Sequence, residues 1–182
     1  AEFVFASPCV PVLAPLREYA RATFTPQRPY VAGAVELMQR VHRDFAYEPG
    51  VTDVRTPLAE VFGERRGVCQ DFAHLMLGML RALGLPARYV SGYLLTQPPP
   101  GQERLLGADA SHAWVSVWCP ALGWFDLDPT NAVLPDGGHV TLAVGRDYGD
   151  VTPLRGVLLG GASQTVDVAV SVVPLEEAAA QA

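Results

Sequence analysis

The hydrophobic period of this chain changes once, at Gly84-Leu85-Pro86, and that change constrains the fold more than any other feature. Before it the pattern is helical. Val31, Val35, Met38, Val41 and Phe45 mark one helix bracketed by Pro29 and Gly50, and residues 13–24 carry a weaker one. Thr56-Pro57 opens a short helix that ends near Phe62-Gly63, with Thr56 as N-cap. From Cys69 to Leu83 apolar residues fall on almost every face, which predicts a central, buried helix stopped by Gly84. After Leu85 the period is two, and strands are expected at 87–96, 111–119, 124–128, 139–144, 155–159 and 165–173. Helices first and strands later predict an α+β fold, with the central helix packed on an antiparallel sheet or open barrel.

With 182 residues, 49 % of them hydrophobic and 18 % charged, a single domain over 1–182 is expected. The net charge of −6, without a basic stripe, argues against nucleic acid and anionic membrane as partners. All 13 basic residues are arginine, so Schiff-base and phosphate-loop lysine chemistry are excluded. Three cysteines without close spacing give no disulfide framework and suit a reducing, cytoplasmic compartment. The start, Ala1 to Pro8, has no basic n-region and reads as a cut point rather than a signal peptide. Pro98-Pro99-Pro100-Gly101 marks an exposed loop between Thr96 and Ala110 that could run along a substrate cleft.

The chemistry centres on Cys69, in Arg66-Gly67-Val68-Cys69-Gln70-Asp71. It opens the central helix, where unpaired N–H groups and the helix dipole favour an anion such as a thiolate, and Arg65 and Arg66 add to that bias. Cys9 and Cys119 read as small buried hydrophobes. Two later segments supply partners. Ser111-His112-Ala113-Trp114 places a histidine on an alternating strand, and Trp124-Phe125-Asp126-Leu127-Asp128 places carboxylates near the end of another. If Trp114 lies opposite Asp128 in an antiparallel pair, His112 and Asp128 are diagonal neighbours within reach. That register needs an odd-length connection or a bulge near Pro120 to Gly123; a four-residue turn would put the two side chains on opposite faces. Asp126 and Asp109 are second choices for the carboxylate. His74 reads as a core histidine, and His42 and His139 as structural or solvated. A zinc site from Cys69, His74 and His112 lacks paired ligand spacings, and no metal or other cofactor is expected.

Gly67-Val68-Cys69-Gln70-Asp71-Phe72-Ala73, His112-Ala113-Trp114-Val115, and Gly123-Trp124 with Leu127-Asp128-Pro129-Thr130 together resemble the transglutaminase-like superfamily, in its bacterial cysteine-peptidase-like branch. Gly145-Arg146-Asp147-Tyr148 also looks like this branch. The resemblance implies a papain-like core and a Cys-His-Asp triad at Cys69, His112 and Asp128. It also implies acyl transfer on amide bonds of a peptide or protein substrate, by hydrolysis as in a cysteine protease or amidase. The alternatives are a protein-glutamine transglutaminase and a non-catalytic peptide-binding module. Gln70 and the Cys69 N–H are oxyanion candidates, and Trp114 and Asp109 are candidates for substrate contact. Members of the branch often carry an N-terminal β-rich domain that is absent here.

Overall fold

The structure, a computed structural model, describes residues 2–95, 111–153, 156 and 168–174. Four helices come first: α1 (Ala14–Arg21), α2 (Tyr30–Asp44), α3 (Leu58–Glu64) and α4 (Cys69–Ala82). Two short strands, β1 (Ala46–Tyr47) and β2 (Arg66–Gly67), pair in parallel between them. Then follow β3 (Ala87–Leu94), β4 (Ser111–Cys119), β5 (Gly123–Leu127) and β6 (His139–Gly145), an antiparallel sheet in the order β5-β4-β3-β6. Among the described residues the sheet is open, with β5 and β6 at its edges, so the fold is α+β. The strand expected at 155–159 lies outside the described residues apart from residue 156, and residues 168–173, expected to end another, form no strand.

Helix α4 is central because its sequence leaves it no polar face. Phe72, Leu75, Met76, Leu77, Met79 and Leu80 are all buried to within 1 % of full burial. It packs on α1, α2 and α3 on one side and on β3 and β4 on the other. Truncating one of these side chains to alanine would cost about 2–5 kcal/mol, a large share of what a single domain has. Gly84, at φ +76°, ends the helix in a Schellman motif: Leu85 N–H donates to the Leu80 carbonyl and Gly84 N–H to that of Arg81. The buried Arg81 guanidinium bolts that end to the sheet by donating to the carbonyls of Ala87 and Arg146. No helix among the described residues is long and apolar enough to cross a membrane.

One glycine fixes how closely the sheet can be built. Gly92 of β3 pairs with His112 of β4, and a Cβ there would sit 2.1 Å from the Val140 carbonyl oxygen and 2.6 Å from the Trp114 ring. The backbone on one side and a fully buried indole on the other leave nowhere to yield. Gly92→Ala is therefore expected to cost about 3 kcal/mol, the upper end for overpacking, and to lower Tm by roughly 6–12 °C in a thermal melt.

Candidate active site

Cys69 is the first residue of α4 and is half-buried on the wall of a cleft of about 520 Å³. Gly67 and Asp71 set up that helix start. The Asp71 carboxylate accepts the Val68 N–H at 2.9 Å and the Thr52 hydroxyl at 2.6 Å, reaching back over its own first turn. A Cβ on Gly67 would lie 2.6 Å from that carboxylate oxygen, so the glycine makes room for the cap. Burial pushes the Asp71 carboxyl above the usual carboxylate range, opposed by these two hydrogen bonds. The Gly-Val-Cys-x-Asp spacing is thus a device that aims the first N–H groups of α4, including that of Cys69, at the cleft.

His112 and Asp128 come together through strand register. Val115 pairs with Leu127 and Cys119 with Gly123, so Pro120 to Leu122 form a three-residue connection and the ladder projects Trp114 opposite Asp128. Gly123 accommodates the odd turn at φ +77°. His112 then reaches diagonally to Asp128, Nε2 to Oδ2 at 2.7 Å. Trp114 makes the same diagonal reach to Asp126, Nε1 to Oδ2 at 3.0 Å, which commits Asp126 to the indole rather than to His112. With His112 Nε2 taken by Asp128, Nδ1 is the ring nitrogen left for the Cys69 side chain, to which His112 also hydrogen-bonds.

Asp128 is wholly buried, and its carboxylate is saturated with donors. Oδ1 accepts the backbone N–H groups of Thr130 and Asn131 at 2.9 and 3.2 Å. Oδ2 accepts His112, the Asn131 side-chain amide at 2.7 Å, and His139 Nε2 at 3.2 Å. Burial alone would raise its pKa, but the bonds from His112, Asn131 and His139 win and bring it down to about 2. Burial would likewise lower that of His112, but hydrogen bonds to Asp128 and Cys69 and their negative charge raise it to about 9. The imidazole is therefore held as imidazolium at neutral pH, beside the thiol and backed by a buried carboxylate.

These shifts have opposite senses for stability. His112 has a folded value above its ordinary 6.5, so its contribution is complete below 6.5 and is lost as pH rises through about 9. Asp128 lies below its ordinary 3.8, so its contribution is present above 3.8 and is lost as pH falls toward about 2. Calorimetry should show Tm falling by a few degrees between pH about 6.5 and 9.5, at roughly 2–4 °C per kcal/mol for this length, and His112→Gln should flatten that slope.

The other candidates divide. Gln70 lines the cleft beside Cys69, as do Tyr89, Tyr93, Leu142 and Tyr148. Trp114, expected among the substrate contacts, is fully buried and stacks on the His112 ring with centroids 6.1 Å apart, so it backs the histidine instead. Asp109 lies outside the described residues, as does the proline-rich loop. His74 is a core residue: burial lowers its pKa to about 4, and its neutral Nε2 accepts the Tyr148 N–H at 3.1 Å. His42 holds the loop after Asp128 through Nδ1 and the Thr130 carbonyl, 2.8 Å apart. Sequence reasoning missed Asn131 and His139. Asn131 carried a local signal, three residues beyond the carboxylate in a turn-forming Asp-Pro-Thr-Asn run. His139 carried none, because it reaches the site only through the pairing of β6 with β3.

Comparison with known proteins agrees with this geometry. The family model of the Transglutaminase-like superfamily matches residues 17–129. An uncharacterized protein of Mycobacterium tuberculosis is 49 % identical over 166 residues, covering 88 % of this chain and 53 % of that protein. A protein-glutamine gamma-glutamyltransferase of Pseudomonas aeruginosa is 39 % identical over 130 residues, covering 65 % of this chain and 20 % of the relative. Among solved structures, a Cytophaga hutchinsonii protein proposed to be a cysteine protease superposes with a TM-score of 0.68 at 29 % identity, covering 82 % of this chain and 48 % of that one. The periplasmic domain of TgpA from Pseudomonas aeruginosa gives a TM-score of 0.54 at 28 % identity, covering 71 % and 46 %. The chain thus spans about half the length of the mycobacterial relative it matches.

Proposed function

We propose, for a chain that belongs to the transglutaminase-like superfamily, a thiol-dependent acyl transfer on amide bonds in which Cys69 is the nucleophile, His112 the acid–base and Asp128 its orienting carboxylate. The observation that carries this reading is the continuous line from Cys69, at the helix start in the cleft, through His112 to the buried Asp128. Cys69 Sγ attacks the amide carbonyl, forming an S–C bond and an oxyanion that the Cys69 backbone N–H and the Gln70 side chain are placed to meet. His112 gives its Nδ1 proton to the departing amine as the C–N bond breaks. A thioester remains on Cys69. Water then attacks it with His112 as base and releases the acid, returning the thiol.

We favour water as acceptor because no residue of the cleft marks a dedicated lysine channel. A primary amine is the second reading, favoured by the 39 % identity to a protein-glutamine gamma-glutamyltransferase. A non-catalytic peptide-binding module is the third, and it needs no reactive thiol at Cys69. Intact-mass spectrometry with a panel of glutaminyl, peptide and ester acyl donors, with and without a small amine, tests all three. Since the chain has no lysine, self-crosslinking through a side-chain amine cannot confuse the products. Acylation of Cys69 followed by free acid supports hydrolysis, mainly amine-coupled product at millimolar amine supports transamidation, and failure of every donor and of thiol reagents overturns catalysis. For location, three unpaired cysteines support a cytoplasmic reading; the TgpA domain similar to it is periplasmic, and fractionation of the source cell decides between them.

A further inference from the structure

The histidine that the reaction above does not use, His139, has a side chain as well buried as His112, at 6 % exposure against 8 %. It opens β6 opposite Leu94, two strands away from β5, so its ring arrives at Asp128 from the far side of the sheet. There Nε2 lies 3.2 Å from Asp128 Oδ2, the same oxygen that His112 uses. The ring stands edge-on to Trp114, centroids 5.3 Å apart, while Nδ1 lies 3.7 Å from Asp136 Oδ1, beyond hydrogen-bond distance. Its one close polar contact is therefore the carboxylate behind His112.

A carboxylate can turn about its last torsion, which has broad wells, and turning would take Oδ2 away from His112. The turn residues Thr130 and Asn131 hold Oδ1. On Oδ2, the donors besides His112 are the amide of Asn131, an exposed residue, and His139, a buried ring that cannot swing away. Together with Trp114, His139 also closes the space through which water would otherwise reach a carboxylate that has no exposed surface.

We propose that His139 is a positioning residue of the acyl-transfer site: it donates Nε2–H to Asp128 Oδ2, fixing the carboxylate and so aiming His112 at Cys69. This rests on the triad reading above. The test is the rate at which iodoacetamide labels Cys69 between pH 5 and 9 in the 182-residue chain, read by peptide mapping with Cys9 and Cys119 as internal references. Three variants of matched thermal stability are compared with the parent: H139Q, whose amide can place a donor where Nε2 stands, and H139L and H139F, which fill the space in two shapes without a donor. Orienting residues behind a first contact typically matter 10- to 100-fold, so H139L and H139F should both label Cys69 about tenfold more slowly at pH 6–7, with H139Q within about threefold of the parent. A merely space-filling role would make Leu or Phe as good as His, and would leave Gln no better than either. Parent-like rates in H139L or H139F, or a Gln variant as slow as they are, overturn the proposal while leaving the triad reading in place. A parent Cys69 that labels no faster than Cys9 and Cys119 overturns both.

Discussion

Cys69→Ala is expected to abolish turnover of any acyl donor that acylates the parent, by at least about 10⁴-fold, because loss of a nucleophile leaves only binding and the oxyanion donors. Its effect on the fold should be small. The Cys69 side chain is half-exposed in the cleft rather than part of the buried layer of α4, and helix capping rests on Asp71 rather than on the thiol. Melting temperatures within a few degrees of the parent, with no product detectable by mass spectrometry, are the expected pair of results. The same variant changes His112. Hydrogen bonding and charge from Cys69 help hold that imidazole charged up to about 9, so its midpoint should move down in the alanine variant, read from the ring resonances in an NMR titration. Residual turnover near the parent rate would mean that another group carries the chemistry.

Asp128→Ala is expected to cost both activity and stability, and in this it should differ from every neighbouring carboxylate. The substitution strands five donors at once: two backbone N–H groups, the Asn131 amide and two histidine rings. Unsatisfied buried donors cost about 1–3 kcal/mol each before water or rearrangement relieves them, so a loss of several kcal/mol is expected in a denaturant titration. Asp128→Asn keeps the shape and some of the acceptors but removes the charge behind His112, so it should fold better while losing about 10²–10⁴-fold in turnover. Asp126→Asn should be mild by comparison, since the Trp114 N–H can still donate to the amide oxygen of asparagine. An Asp126 variant worse than its Asp128 counterpart would reverse the assignment of the two carboxylates.

Local signals carried most of the fold. The apolar circumference of Cys69 to Ala82 foretold its burial, Gly84 its end, and alternation the four strands of the sheet. Of the site, Cys69, His112 and Asp128 were legible together with the condition that joins them, because register parity can be counted along a hairpin. What could not be counted was contact across strands distant in sequence. Trp114 has an alternating position that fits a cleft wall as well as a core, and only the closeness of the Gly92 backbone shows that it is sealed inside. His139 has an unremarkable sequence setting and takes its meaning from β6 lying beside β3, a pairing that no spacing rule dictates.

The odd connection at Pro120 to Leu122 has a consequence for how chains of this kind can drift. Insertions and deletions in an exposed turn are ordinarily among the cheapest changes available, since closing a slightly longer loop costs only a fraction of a kcal/mol. Here single-residue steps are forbidden: one residue more or less would invert β5 against β4, sending Asp126 and Asp128 to the opposite face and stripping both Trp114 and His112 of their partners together. Steps of two keep the faces and only lengthen the ribbon. The hairpin is thus open to growth in even increments alone, and the length of this one turn, compared across descendants, should separate lineages that keep the chemistry from those that have let it go.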